Sequence, residues 1–260
     1  LKNGAAVDLP KVIVADTIKG RGVDFMEGND LGEDGLYRYH SGAPGEDEYL
    51  RANQQLWDHT HSLSREYGLP EVETGNTVIE SVAANSNAVS LIARYREELL
   101  TQGAKNQTVV ALDADLRVDV GSDPFSKAFP DRYFECGIAE QDMVSQAGTM
   151  ALSGLIPVLH SFACFMVPRA NEQIYNNASE HSKIIYIGAL AGILPAGPGH
   201  SHQSVRDIAA LRGTPGLNLI EPACGDELAA VLDWAVNVSN ESTYIRLVSI
   251  PWSLDWTPDP

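Results

Sequence analysis

The sequence predicts an α/β fold in which a parallel sheet is flanked by helices on both faces. Three observations carry this: short, continuous apolar runs of strand length, helical runs between them, and a hydrophobic share of 44% over 260 residues, enough for a sizeable core. A strand that is apolar at every position must be covered above and below. Helices on both faces of a parallel sheet do this.

The elements follow in order. Lys11-Val12-Ile13-Val14-Ala15 is a β-branched run between Pro10 and the glycines at 20 and 22, and reads as a buried strand. From residue 23 to about 75 the chain is rich in Gly, Asp, Glu and Tyr, with one helical piece near 46–65, and reads as an appendage that packs on something else. Ala88, Leu91, Ile92, Tyr95 and Leu99 fall at helical spacing and predict the helix that leads into the main domain. Strands are then expected at 108–112, 156–159, 183–187, 217–220 and 243–247, and helices at 142–153, 167–179, 205–212 and 227–238. The division expected is 1–75 and 76–260, with no internal repeat or low-complexity tract.

Charge and cysteine use narrow the function. Lys and Arg number 18 against 35 Asp and Glu, a net charge of −17, which argues against nucleic acid or an anionic membrane as partner. No apolar run reaches the roughly 18 to 20 residues of a spanning helix. Cys136, Cys164 and Cys224 are odd in number and far apart, so neither a disulfide framework nor a zinc site is suggested, and the cytoplasm is the expected compartment. Leu1-Lys2-Asn3-Gly4 does not open a signal peptide, and a first residue other than Met suggests a fragment or one part of a split enzyme.

Ligands of such sheets bind beyond the carboxyl ends of the strands. That rule singles out Asp113-Ala114-Asp115-Leu116, the segment 135–140, His160-Ser161-Phe162, the segment 188–203 and Glu221-Pro222. Glu140 stands at a helix start, where the helix dipole alone favours a carboxylate by about 0.3 to 1 kcal/mol. Its functional alternative is a carboxyl group sharing a proton with a ring nitrogen in a partly desolvated site. Phe162 and Phe165 are core aromatics on the plain reading, and a stacking wall for a planar heterocycle on the functional one.

The segment from Gly192 to Ser204 is the most informative loop. Gly and Pro at 195 and 197–199 fix its backbone, and His200 and His202 point to opposite sides if it is extended. Their spacing, with no Cys or acidic neighbour, favours a polar contact to substrate over a metal half-site. His40, in Tyr39-His40-Ser41-Gly42-Ala43-Pro44, reads as a surface-loop histidine by itself. Thr17-Ile18-Lys19-Gly20-Arg21-Gly22 has the look of a phosphate loop without the G-x-x-x-x-G-K-[ST] order, and Gly32-Glu33-Asp34-Gly35 is an acidic turn.

Together these pieces resemble transketolase-type thiamine diphosphate enzymes over nearly the whole chain. Residues 12–22 and 39–44 look like the end of the diphosphate-binding domain. Leu112-Asp113-Ala114-Asp115-Leu116, the segment 132–140, Gly154-Leu155-Ile156-Pro157 and Gly197-Pro198-Gly199-His200-Ser201-His202-Gln203 look like the pyrimidine-binding domain that follows it. The resemblance implies a thiamine diphosphate-binding fold and transfer of a two-carbon ketol unit from a ketose to an aldehyde through a cofactor carbanion. The 1-deoxyxylulose-5-phosphate synthases share the Gly137-Ile138-Ala139-Glu140-Gln141 pattern and form the alternative, beside a non-catalytic subunit that only pairs with a partner.

On this resemblance Glu140 is the catalytic residue, hydrogen-bonded to N1′ of the aminopyrimidine, with His202 beside it in catalysis. Asp115, Ile138, Phe162 and Phe165 contact the cofactor, and His40, His200 and Gln203 meet the substrate. The diphosphate domain's G-D-G sequence is absent, so Mg²⁺ ligands are expected outside this chain and no metal ligand is expected within it. The partners implied are a sugar or sugar phosphate and a diphosphate-binding domain of the same or another chain. A homo-oligomer or a split-subunit hetero-oligomer follows, because sites of this family lie between subunits.

Overall fold

The computed structural model describes residues 16–27, 37–39, 44–70, 72, 90–194 and 198–252. The strand expected at 11–15, the turn at 32–35, His40, Ala88 and the loop residues Pro195, Ala196 and Gly197 lie outside the described residues. The chain divides into two compact units, Leu1–Ser81 and Val82–Pro260.

In the first unit the helical piece expected near 46–65 is α1 (Glu46–Tyr67). Glu46, Asp47 and Glu48 fill its first turn, where the dipole favours negative charge. Gly68 ends it at φ 64°, and the amides of Gly68 and Leu69 return to the carbonyls of Arg65 and Ser64. The segment that looked like a phosphate loop forms turns in which the Gly22 amide donates to Glu27 Oε1 at 2.8 Å. Tyr49, Leu50 and Tyr67 of α1 are exposed.

The second unit holds one six-stranded sheet, parallel throughout, with strand order β2-β1-β3-β4-β6-β5. The strands are β1 (Val109–Asp113), β2 (Tyr133–Glu135), β3 (Ile156–Phe162), β4 (Ile185–Ala189), β5 (Leu217–Ile220) and β6 (Ser242–Arg246). Helices α2 (Leu91–Lys105), α3 (Asp123–Ala128), α4 (Glu140–Leu152), α5 (Ala163–Arg169), α6 (Asn171–Ser179), α7 (Asp207–Leu211) and α8 (Gly225–Asn237) connect and cover them. Every residue of β1 and β4 is buried, as the continuous apolar runs require.

Alternate strand residues feed two cores. Val110, Leu112, Leu159, Tyr186 and Tyr244 face Met143, Val144 and Ala147 of α4, with α5 and α6 alongside. Val109, Ala111, Val158, Ile185, Ile187 and Ile245 face Leu91, Tyr95 and Leu99 of α2 and Leu228 and Leu232 of α8. This is the period-two alternation of a pleated strand read out on both faces. Small residues of α4 serve close packing, since a Cβ on Gly148 would overlap the side chain of Asn177, whose Nδ2 donates to the Val144 carbonyl at 2.8 Å.

Two features differ from the sequence expectation. The helix expected over 167–179 is two helices, broken at Ala170, directly after Pro168 and Arg169. Pro168 lies inside α5, where its missing amide leaves the Cys164 carbonyl without its helical partner, and Ala170 at φ −110° and ψ 22° then departs from helical geometry. The edge strand β2 and the six-residue α3 are too short to leave a period in the sequence. Among the described residues no helix is long and apolar enough to cross a membrane.

Candidate functional site

The segments after β2, β3 and β4 bring together four of the residues the sequence singled out, Glu140, Phe162, Phe165 and His202. Between β2 and α4 the chain turns at Gly137, whose φ of 66° suits glycine. Glu140 then opens α4 and is only 3% exposed. A buried carboxylate needs donors. Its Oε1 has Arg169 Nη1 at 2.6 Å and Ser161 Oγ at 3.4 Å.

Aromatic groups stand next to this carboxylate. β3 ends at Phe162, where the backbone passes straight into α5. Phe162 and Phe165 have ring centroids 5.8 Å apart at an interplanar angle of 41°. The His202 ring lies 6.2 Å from Phe162 and 5.0 Å from Phe165, edge-on to both. The Arg169 guanidinium sits 4.1 Å from the Phe165 ring centroid, and this joins the aromatic group to Glu140.

The histidine loop is not extended. Gly199 turns it at φ 84°, residues 200–202 form a single 3₁₀ turn, and the His202 amide donates to the Gly199 carbonyl at 3.0 Å. His200 is therefore exposed while the half-buried His202 faces the phenylalanines, with Ser201 Oγ 3.1 Å from its Nδ1. Gln203 Nε2 donates to the Ile193 carbonyl at 3.1 Å and closes the loop on itself. Arg246, beyond the end of that loop, donates to the Ser204 carbonyl at 3.0 Å and to the carboxylates of Asp207 and Glu221.

After β1, Asp115 adopts φ 61° and its amide donates to Glu135 Oε1 at 2.9 Å. The same oxygen accepts the Gly137 amide at 2.9 Å, so one side chain ties the turn after β1 to the turn after β2. Ile138 projects from that second turn and is 68% exposed. His40 lies outside the described residues. Among the described residues no group of three or more His, Cys, Asp or Glu side chains is arranged to hold a metal ion.

The sequence reading did not single out Arg169, and it named Glu135, Asp113 and His160 only as members of strand-end segments, with no role of their own. Arg169 stands four residues after Phe165 on α5, a spacing that makes them helix neighbours and was the available signal. Asp113 and His160 are register partners on β1 and β3 and both are buried. Asp113 accepts from the Leu116 amide and Ser122 Oγ, each at 2.7 Å, yet burial pushes its carboxyl up to about 7. Burial also lowers His160 to about 4, although its Nδ1 lies 2.8 Å from the Leu112 carbonyl and its Nε2 2.6 Å from the Tyr95 hydroxyl.

These two groups give stability opposite pH slopes. Asp113, raised from 3.8, contributes stability that is full at low pH and is lost as pH rises through about 7. His160, lowered from 6.5, contributes stability that is full above 6.5 and is lost as pH falls toward about 4. Between those limits they oppose each other, at about 1.4 kcal/mol per pKa unit. Asp113→Asn is expected to remove the first slope, so its melting temperature rises from pH 4.5 to 6.5 and then levels. Thermal unfolding across pH 4.5 to 8 checks this, and a profile parallel to that of the unsubstituted chain contradicts it.

Comparison with known proteins matches the same region. Residues 87–249 fit the family described as transketolase, pyrimidine binding domain. The 1-deoxy-D-xylulose-5-phosphate synthase of Clostridium kluyveri is 30% identical over 158 residues, 61% of this chain and 25% of that protein. The enzyme of the same name from Parafrankia sp. is 32% identical over 199 residues, 72% of this chain and 30% of that protein. A solved structure described as a split gene transketolase, inactive beta4 tetramer, superposes with a TM-score of 0.59 at 30% identity, covering 67% of this chain and 56% of that one. The chain thus spans between a quarter and a third of the length of these two curated relatives.

Proposed function

Since the chain belongs to the family of transketolase pyrimidine-binding domains, we propose that it supplies the pyrimidine-binding half of a thiamine diphosphate-dependent transferase. The reaction proposed is transfer of a two-carbon ketol unit from a ketose to an aldehyde. The observation that carries this reading is the buried Glu140 carboxylate beside the Phe162, Phe165 and His202 rings. Such a set fits an aminopyrimidine: a carboxylate for a ring nitrogen, and flat apolar faces for the ring itself.

The roles follow from the chemistry of each group. Glu140 shares a proton with the ring nitrogen, and its burial lets that hydrogen bond act in a low dielectric. Phe162 and Phe165 hold the ring plane and keep water from it. Asp115 and Ile138, on turns fastened through Glu135, border the cofactor side. His202 faces the reacting end, while His200, Gln203 and His40 are assigned to the substrate. When bound, the thiazolium of the cofactor supplies the electron sink for carbon–carbon bond cleavage, and the protein supplies orientation and proton management. Mg²⁺ and the diphosphate are assigned to a diphosphate-binding domain upstream or in a partner chain, and the working unit to an oligomer.

A second reading, a 1-deoxyxylulose-5-phosphate synthase-like enzyme, is favoured by the relatives at 30% to 32% identity. The two differ in donor. With the chain assembled with its diphosphate-binding domain, thiamine diphosphate and Mg²⁺, a ketose phosphate plus an aldose acceptor is expected to turn over. Turnover with pyruvate plus glyceraldehyde phosphate alone selects the second reading. Absence of both activities in an assembly that binds cofactor would leave a binding subunit and reject the transferase assignment.

A further inference from the structure

Arg169 holds one of the two oxygens of the carboxylate that the proposed chemistry needs. Its Nη1 is 2.6 Å from Glu140 Oε1, which makes the cation the main partner of a carboxylate with almost no access to water. The same guanidinium covers Phe165 at 4.1 Å. One cation therefore sits on both groups a planar heterocycle would use here, the carboxylate and an aromatic face.

The two partners are unequally placed. The Glu140 side chain is 3% exposed and the Arg169 side chain 42% exposed. The backbone of Arg169 is fixed where α5 ends, its carbonyl accepting Gln141 Nε2 at 2.8 Å, so only the side chain is free to move. A half-exposed guanidinium loses little on returning to water, because solvent already screens it. A buried carboxylate, by contrast, must always have a donor. Resting on the thiamine reading above, we propose that Arg169 is a positioning residue that satisfies Glu140 in the cofactor-free chain. It competes with the aminopyrimidine for the Glu140 carboxylate, and entry of the ring sends the guanidinium to solvent.

The competition has a signature that a merely structural ion pair lacks. Arg169→Gln is expected to lower the melting temperature of the cofactor-free assembly, because Glu140 loses its cation. Saturation with thiamine diphosphate and Mg²⁺ is expected to erase that deficit, because the ring then replaces Arg169. Removing the competing, half-exposed cation should also tighten cofactor binding, roughly threefold to tenfold. Arg169→Lys keeps a cation without the planar fork and should fall between the two, which preserves the test if Arg169→Gln does not fold.

Titration calorimetry and thermal unfolding of the assembled protein, with and without cofactor, read both quantities. Weaker binding by Arg169→Gln, or a melting deficit that persists at saturation, would overturn the proposal while leaving the thiamine reading intact. No cofactor binding by the unsubstituted assembly would overturn both.

Discussion

In the assembled enzyme, Glu140→Gln is expected to lower turnover by roughly 10² to 10⁴-fold, the range that a positioned acid or base contributes. Glutamine keeps the length of the side chain and an oxygen that still accepts from Arg169 and Ser161, so the start of α4 should remain in place. What it loses is the ability to take and return a proton. The expected result is an unchanged melting temperature within a few degrees and a large fall in kcat, while Glu140→Ala, which also removes the buried acceptor, abolishes turnover and destabilises as well. Steady-state kinetics on the complete assembly decides the matter. Near-normal kcat in Glu140→Gln would remove this carboxylate from the chemistry.

The second large effect is expected at Asp207, in a buried network that the aromatic group depends on. Asp207 is 2% exposed and its Oδ2 accepts from the Tyr244 hydroxyl at 2.8 Å and from Arg246 Nε at 2.9 Å. Asp207→Ala leaves Arg246, at 12% exposure, paired only with the more open Glu221. Breaking a buried pair from one side costs about 3 to 5 kcal/mol.

Function should suffer too, because Arg246 also holds the Ser204 carbonyl, and Ser204 exchanges backbone hydrogen bonds with Gly192 at the base of the histidine loop. A slack base lets His202 leave the phenylalanines. Denaturant unfolding should show the loss, and KM for the substrate should rise in whatever Asp207→Ala protein folds. Asp207→Asn, which can still accept from Tyr244, should lose less. A loss below about 1 kcal/mol in Asp207→Ala would show that the network is not holding the fold.

Much of the architecture was legible because burial on both faces of a parallel sheet writes itself as uninterrupted apolar runs. Val109 to Leu112 and Ile184 to Ile187 needed no other signal. Tyr133-Phe134-Glu135 escaped notice as a strand since it is an edge, partly exposed, and three residues long. The grouping of the candidate site was legible where residue types are unusual for their place: a carboxylate at 140 in a stretch of small residues, two phenylalanines after a strand, and a histidine loop bracketed by glycine and proline. Arg169 was not, because an arginine at the end of a helix has an ordinary explanation in the dipole. Its contact with Glu140 spans 29 residues, and no local pattern encodes that distance. Asp113 was legible only as part of a strand-end segment, and the packed sheet is what shows its carboxyl to be inside.

Glu135 has a bearing on how this chain can change over generations. A single oxygen serves as the common anchor of two turns, one carrying Asp115 and the other Gly137. An insertion or deletion in either turn would pull that anchor away from its neighbour. A change at position 135 is therefore expected to loosen both turns at once, while the 192–203 segment, closed by its own hydrogen bonds, does not depend on that anchor.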